Sequence, residues 1–445
     1  MRAILLSVSA LILGLFLLLA GNSLQFVILG LRADREGFST LGIGGLTAAY
    51  YLGYAVGTFQ APKVVAQIGH IRSFAAVGTI ISAVVLAHAL WVDPAFWMAL
   101  RVMTGLSFAV LATVAESWLN AKATRHLRGQ VLSIAAIAMM SGYAVGPLFT
   151  GLGSVDGFVL FVTASILMSI AVVPVVITRI PAPQIASAGV GDKAYSPWRL
   201  YRETPLGMVG TAGIGAVQGA FLGLGAVFAG RLGFDDRTAS LFMTGALIAG
   251  MAVQYPLGLI SDRLDRRLVF AVVTAVLAVG AGVGMVALAR LGPTPAVMAL
   301  AAAVAGIAAV PLYAVAVAHA NDRLPETSIV PAAATLILSF SIGSMIAGPV
   351  ASTAMERFGP PGLLAFIAAV LAALSAFAFL RMTAREEGAT AEAEGEEAAA
   401  WPAHDTGVFA STPQLRPMDR EPEEEQFEFD FAAPARGRAQ AQASD

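Results

Sequence analysis

Residues Gly258 to Arg267 read GLISDRLDRR and set five charges, Asp262, Arg263, Asp265, Arg266 and Arg267, between two long apolar stretches. A charge at the centre of a bilayer costs roughly 2.5 to 3.5 kcal/mol even on the lenient insertion scale, so this segment cannot lie in hydrocarbon. It has to be a tight turn joining two membrane helices. The rest of the composition agrees: 57% of the 445 residues are hydrophobic and 13% charged, with a mean hydropathy of +0.76, far outside the range of a soluble globular protein. The formal charge of -2 averages two unlike regions. After Met382 there are 15 acidic and 5 basic residues, so the tail carries -10 and the body +8. The chain has no Cys, which removes disulfides and thiol chemistry.

A helix needs about 20 mostly apolar residues to cross the bilayer. On that measure the sequence divides into twelve spans, 4-30, 41-66, 73-92, 95-121, 129-152, 157-179, 205-230, 238-260, 268-290, 295-319, 328-354 and 360-381. With the N-terminus inside, fifteen Lys and Arg residues fall on the cytoplasmic side, among them Arg72, Lys122, Arg125 and the cluster Arg263, Arg266 and Arg267. Six fall opposite: Arg32, Arg35, Arg231, Arg237, Arg290 and Arg357. The positive-inside rule therefore places both termini and the 258-267 turn in the cytoplasm.

The chain also repeats itself. Gly37-Phe38 and Gln60-Ala-Pro62 recur as Gly233-Phe234 and Gln254-Tyr-Pro256, at offsets of 196 and 194, and Gly146-Pro147 recurs as Gly348-Pro349 at 202. This points to two parallel six-helix halves, residues 1-180 and 205-381, with the first apolar stretch retained as a helix of the repeat rather than cleaved as a signal. Residues 181-204, rich in Pro and Gly, read as a central cytoplasmic loop whose part from Tyr195 to Glu203 suits the membrane interface. Residues 382-445 have the composition of a disordered acidic tail, within which Phe427, Phe429 and Phe431 alternate with Glu428 and Asp430.

Gly258, Asp262, Arg263, Arg266 and Arg267 stand in an order that resembles the loop signature of the major facilitator superfamily, with Asp265 where that pattern has Gly. The matching turn of the first half is a relic: with Gly69 on the pattern's second Gly, Ala66 and Gln67 replace the Asp and Arg, and Arg72 remains. In the fourth span Arg101 and Gly105 match the family's Arg followed by Gly four residues later. Glu116-Ser-Trp-Leu-Asn120, with Ala318-His319-Ala320-Asn321-Asp322-Arg323, resembles the YcaD-like branch, whose members are assigned as transporters of unknown substrate. The resemblance implies an all-α membrane protein of twelve transmembrane helices in two parallel six-helix pseudo-repeats, working by alternating access. It also implies that Asp262 and its arginines latch neighbouring helices in one access state. Gly142, Gly146, Pro147 and Gly151 resemble a helix-bend motif of proton-exchanging exporters, although close packing explains them equally well.

Polar residues inside spans are the candidates for a solute cavity, because they need water or a partner there. They are Arg101, Asn22, Gln25, Tyr54 and Gln218, with Tyr50 and Tyr51 beside them. Glu116 is the acidic residue clearly within a span, about 22 Å along its helix from Arg101. It is expected near the cytoplasmic end, within reach of Lys122 or Arg125, as an ion-pair partner or, like His319, as a proton carrier. Gly215, Gly219 and Gly223 form a small-residue packing face.

The sequence shows no Gly-Lys-Ser/Thr phosphate loop, and Gly280, Gly282 and Gly284 sit within a span rather than after a strand. His88 and His319 are isolated, so neither a metal nor another cofactor is expected. No paired acid, nucleophile or metal cluster marks an enzyme. The expected function is secondary transport of a small organic solute across the cytoplasmic membrane, as proton-coupled efflux by a monomer with no nucleic-acid partner. The alternatives are symport or uniport of a nutrient, and a membrane sensor or scaffold acting through the acidic tail.

Overall fold

The computed structural model describes residues 2-122, 128-178 and 195-383, and all regular structure among them is helical. The acidic tail beyond 383, residues 181-194 of the central connection, and the side chains of Lys122 and Arg125 lie outside what is described. The helices are α1 (Arg2–Arg35), α2 (Thr40–Ile68), α3 (His70–Leu90), α4 (Pro94–Lys122), α5 (Arg128–Val145) continued by a 3-10 segment (Gly146–Leu152), and α6 (Val159–Val176). A short helix α7 (Pro197–Glu203) precedes α8 (Pro205–Arg231), α9 (Asp236–Arg263), α10 (Arg266–Leu291), α11 (Pro295–Ala309), α12 (Pro311–Asn321), α13 (Glu326–Phe358) and α14 (Pro361–Thr383). The expected fifth and tenth spans are thus each made of two segments. Both break at a Pro, Pro147 and Pro311, where the missing N–H releases a carbonyl of the preceding turn.

Polar residues punctuate the ends. Ser39, Asp235, Asp265 and Thr294 accept a backbone N–H at the starts of α2, α9, α10 and α11. Gly37 and Gly233, the paired turn residues of the repeat, both have positive φ, 76° and 89°, where a Cβ would be strained. Asp265, the departure from the loop pattern, therefore has a local reason: it caps α10 by accepting the Arg267 N–H at 2.8 Å.

Burial sorts the helices into inner and outer. The most apolar windows of α1 and α8 are 78% buried and those of α4 and the α11–α12 span 72%, against 39% for α6, α10 and α14. The first group surrounds the centre and the second faces lipid. Counting α5 with its 3-10 segment and α11 with α12 as one span each, eleven spans among the described residues are long and apolar enough to cross a membrane. α2 has the length but carries Thr47, Tyr50, Tyr51, Tyr54 and Thr58 as buried residues, and it packs between α4 and α13. Its polarity is that of a helix shielded from lipid.

The first six spans meet the last six along α2 with α13, α1 with α8, and the α5 segment pair with α9. At the first seam a Cβ on Gly44 would clash with the Gly348 backbone and Ser352, and one on Gly348 would strike the Gly44 carbonyl. At the other seam Thr150 donates to Ser240 at 2.7 Å and Thr244 to the Ala144 carbonyl at 3.0 Å. Gly142 and Gly146 admit the α1 backbone at Phe16 and Ala20, whereas Gly151 faces open space. Gly215, Gly219 and Gly223 of α8 meet Phe340, Ser344 and Thr47.

Overpacking a tight seam costs about 1 to 3 kcal/mol. Gly44→Val or Gly348→Val is therefore expected to lower the thermal unfolding midpoint in detergent by several degrees. Gly282→Val, where an added Cβ would have nothing within 4 Å, is the control expected to leave it unchanged.

Candidate functional site

Arg101 sits seven residues into α4, about 10 Å below the end that carries Arg35. It is 1% exposed. Its guanidinium lies over the rings of Phe26 at 4.2 Å and Tyr50 at 4.4 Å, and one Nη donates to the Gln25 Oε1 at 3.3 Å. Asn22, one turn deeper on α1, donates to the Tyr143 hydroxyl at 3.1 Å and the Tyr50 hydroxyl at 3.4 Å. α1, α2, α4 and α5 therefore converge on one polar group in an apolar surround. A small cavity of about 10 Å³, room for roughly one water, adjoins Arg101 between Leu29, Gly30, Thr47 and Gly223.

The unmet polar atoms are the telling part. Arg101 Nη2, Gln25 Nε2, Asn22 Oδ1, Tyr54 Oη and Gln218 Oε1 are all buried without a hydrogen-bond partner. Buried polar groups are nearly always paired, so unpaired ones call for a reason such as a ligand, an ion or water. Each of the five residues expected to line a solute cavity contributes one, although of the five Arg101 alone borders the small space just described. Asn22, Gln25 and Arg101 join through Tyr50; Tyr54 stands one turn deeper on α2, with its ring 6.4 Å from that of Tyr50. Gln218 makes no hydrogen bond to the group.

The expected proton carriers lie elsewhere. Glu116 is buried at 6% exposure, six residues from the far end of α4, and His319 is buried near the matching end of α12 with its Nε2 unpartnered. The two are 203 residues apart, close to the repeat offsets.

Around the 258-267 turn, Arg266 bonds Asp262 at 3.1 Å and Asp322 at 2.7 Å, which ties the ends of α9, α10 and α12 together. Burial pushes the Asp322 carboxyl above its ordinary range, and Arg266 pulls against that. Arg267 pairs with Asp265, Arg263 is exposed, and a Cβ on Gly258 would meet nothing. The relic turn of the first half holds a pin of other chemistry. His70, 196 residues before Arg266, shares a 2.6 Å hydrogen bond with Ser117 on α4 and meets the edge of Trp118.

The opposite face holds a second charged assembly, which sequence reasoning missed. Arg231 of α8 bonds Asp34 of α1 through Nε at 3.0 Å and Nη2 at 2.7 Å, and reaches Thr40 at 3.3 Å. Arg35 of α1 bonds Asp236 of α9, and Asp156 at 2.9 Å. Arg35 and Arg231 are separated by 196 residues, and so are Thr40 and Asp236. Each half thus sends an arginine to the corresponding start of a helix in the other. Phe26 and Tyr143 were missed too. The repeat offset could have paired the arginines; only Tyr143's place inside the Gly142–Gly146 packing face hinted at its role.

A sequence profile of the Major Facilitator Superfamily matches residues 11–278 and 207–416. The chain belongs to that superfamily. Within it, the chain is 28% identical over 387 residues to the uncharacterized MFS-type transporter YcaD of Salmonella enteritidis, covering 86% of this chain and 96% of YcaD. An uncharacterized MFS-type transporter of Enterobacter sp. (strain 638) is 27% identical over 377 residues, covering 84% and 94%. Among solved structures, the nucleoside transporter NupG aligns with a TM-score of 0.70 at 15% identity over 84% of this chain and 99% of NupG. A D-xylose-proton symporter aligns at 0.66 and 14%, over 84% and 97%. These likenesses fix the facilitator fold. The protein is a multi-pass membrane transporter of YcaD-like sequence.

Exposed ion pairs contribute about 0.2 to 1 kcal/mol each. Replacing both arginines, Arg35→Gln with Arg231→Gln, is expected to raise access to the centre from their face severalfold. The Cys-free chain lets a single Thr47→Cys report this through its labelling rate with a membrane-impermeant maleimide. An unchanged rate would show that the pairs do not hold that face shut.

Proposed function

We propose that the protein is a secondary active transporter of the cytoplasmic membrane that carries a small organic solute by alternating access and couples it to protons, in the direction of efflux. The carrying observation is the group of buried, unpartnered polar atoms on Arg101, Gln25, Asn22, Tyr54 and Gln218. Such a group is expensive to keep in a membrane protein and serves a solute that satisfies it. The connected part of it lies on helices of the first half, and α8 of the second half borders the space beside Arg101 through Gly223, which sets it at the seam where a rocking-bundle transporter keeps its site. Asp34–Arg231 and Arg35–Asp236 join the halves on one face. The Asp262–Arg266–Asp322 pairs lie within the last six spans. The charge count supports reading the joined face as external and this conformation as shut outward, with both termini taken as cytoplasmic and a monomer as the working unit.

Proton coupling is assigned to Glu116 and His319, both buried towards the same end of α4 and α12. The first span supplies amides but no carboxylate at the site.

A thermal-shift screen of the purified protein identifies the solute, because a ligand of the folded state raises its apparent stability by mass action. Proteoliposomes with an imposed pH gradient then fix direction: proton antiport and symport move lumenal pH in opposite senses on addition of solute, and no pH change overturns the coupling. Arg101→Ala is expected to abolish binding. Asp262→Ala is expected to leave binding and slow turnover by shifting the balance of access states. Equal loss of binding in both would refute that division.

A further inference from the structure

Arg101 carries a positive charge into the protein interior without a counter-ion. No described carboxylate lies within 4 Å of it. Glu116, on the same helix, is about 22 Å away along its axis. The protein gives the guanidinium two aromatic faces and one amide oxygen. A guanidinium has five N–H donors, and here Nη2 is left over, buried. Its hydrogen-bond partner Gln25 has its own donor, Nε2, buried and unused. The bond between the two side chains holds them together, so two free donor groups and one net positive charge occupy neighbouring positions.

A cationic, planar pair of donors is matched by an anion with two oxygens on one planar group. A neutral solute leaves the charge uncompensated, and a cationic one adds repulsion; an uncompensated buried charge costs several kcal/mol. We infer that the transported solute is a small organic carboxylate whose carboxylate group is received by Arg101 and Gln25. Its body extends about one turn deeper, where the Asn22 and Tyr54 polar atoms stand unpartnered beside the rings of Tyr50 and Tyr143. This rests on the reading of that cavity as the transport site. The roughly one-water space beside Arg101 means that the anion enters only when the helices around it separate. Binding then favours a state other than the one shut around Arg101, the differential affinity that a solute needs to drive a conformational change.

The test uses the purified full-length protein and thermal shift with acetate, lactate, succinate and benzoate, each beside its neutral amide, and with benzylamine as a cation. Carboxylates are expected to raise the melting temperature at millimolar concentration while their amides and the amine do not. Arg101→Gln is expected to weaken carboxylate affinity more than tenfold, and Gln25→Leu and Arg101→Lys severalfold. Should Arg101→Gln fail to fold, the carboxylate-against-amide contrast in the natural protein and the two milder variants carry the test. Absence of any carboxylate-specific shift overturns the inference. So does a shift by amides or the amine that is lost in Tyr54→Phe or Asn22→Leu, though that result leaves the cavity standing as the transport site. A carboxylate shift that survives substitution at Arg101, Gln25, Asn22 and Tyr54 alike overturns the cavity reading as well.

Discussion

At bilayer depth a polar side chain has no water to meet it, so it must be met by other protein groups or by cargo, and that constraint arranges this molecule. It keeps α2, with its buried tyrosines and threonines, between α4 and α13. It turns the apolar faces of α6, α10 and α14 outward. It also gathers Asn22, Gln25, Tyr50, Arg101 and Tyr143, from four different helices, into one contact group. The glycine seams serve the same end. Where Gly142 and Gly146 meet α1, and Gly215 meets α13, backbones come close enough for Ser23 and Ser344 to donate to a carbonyl opposite.

Most of the architecture was legible in the sequence because membrane insertion is governed by runs of apolar residues, which are local and additive. The α2 helix was legible by the length of its mostly apolar stretch although its tyrosines and threonines keep it below the hydropathy of the other spans. Its lower hydropathy was itself a sign of an inner position. Arg101, Gln25 and Asn22 were legible as candidates because amides and a guanidinium within a span are costly wherever they fall. Phe26 and Tyr143 were not, since an aromatic residue in a membrane helix costs nothing and looks like any lipid-facing or packing side chain. Their roles come from which helix lies opposite, and that is set by tertiary packing.

Charged helix ends were misjudged for a related reason. Arg35 and Arg231 stand in the sequence as members of an orientation count, which treats each charge as an isolated solvated group. Their significance lies in the pairing, and the repeat spacing of 196 residues relates both arginines and the Thr40 and Asp236 they reach. The degenerate turn at Gly69 teaches the converse. Loss of the Asp and Arg there did not leave the helix ends unattached, because His70 takes the position of Arg266 and meets Ser117 where Arg266 meets Asp322. A weak, neutral pin stands opposite a charged one.

Asp34 and Arg35 are adjacent residues at the last turn of one helix, yet each is bound to a different helix of the other half, α8 and α9. Moving that single helix end strains both attachments at once. Separation along this edge is therefore concerted, more like drawing a double bolt than peeling a seam. The bolt is made of partly exposed charges, so its hold depends on the electrolyte bathing that face within a Debye length of about 8 Å. On the opposite face the Asp262–Arg266–Asp322 pairs are partly exposed as well, but they join helices of one half and do not bolt the halves together. Ionic strength therefore acts on the two mouths through different joints, between the halves at one and within a single half at the other.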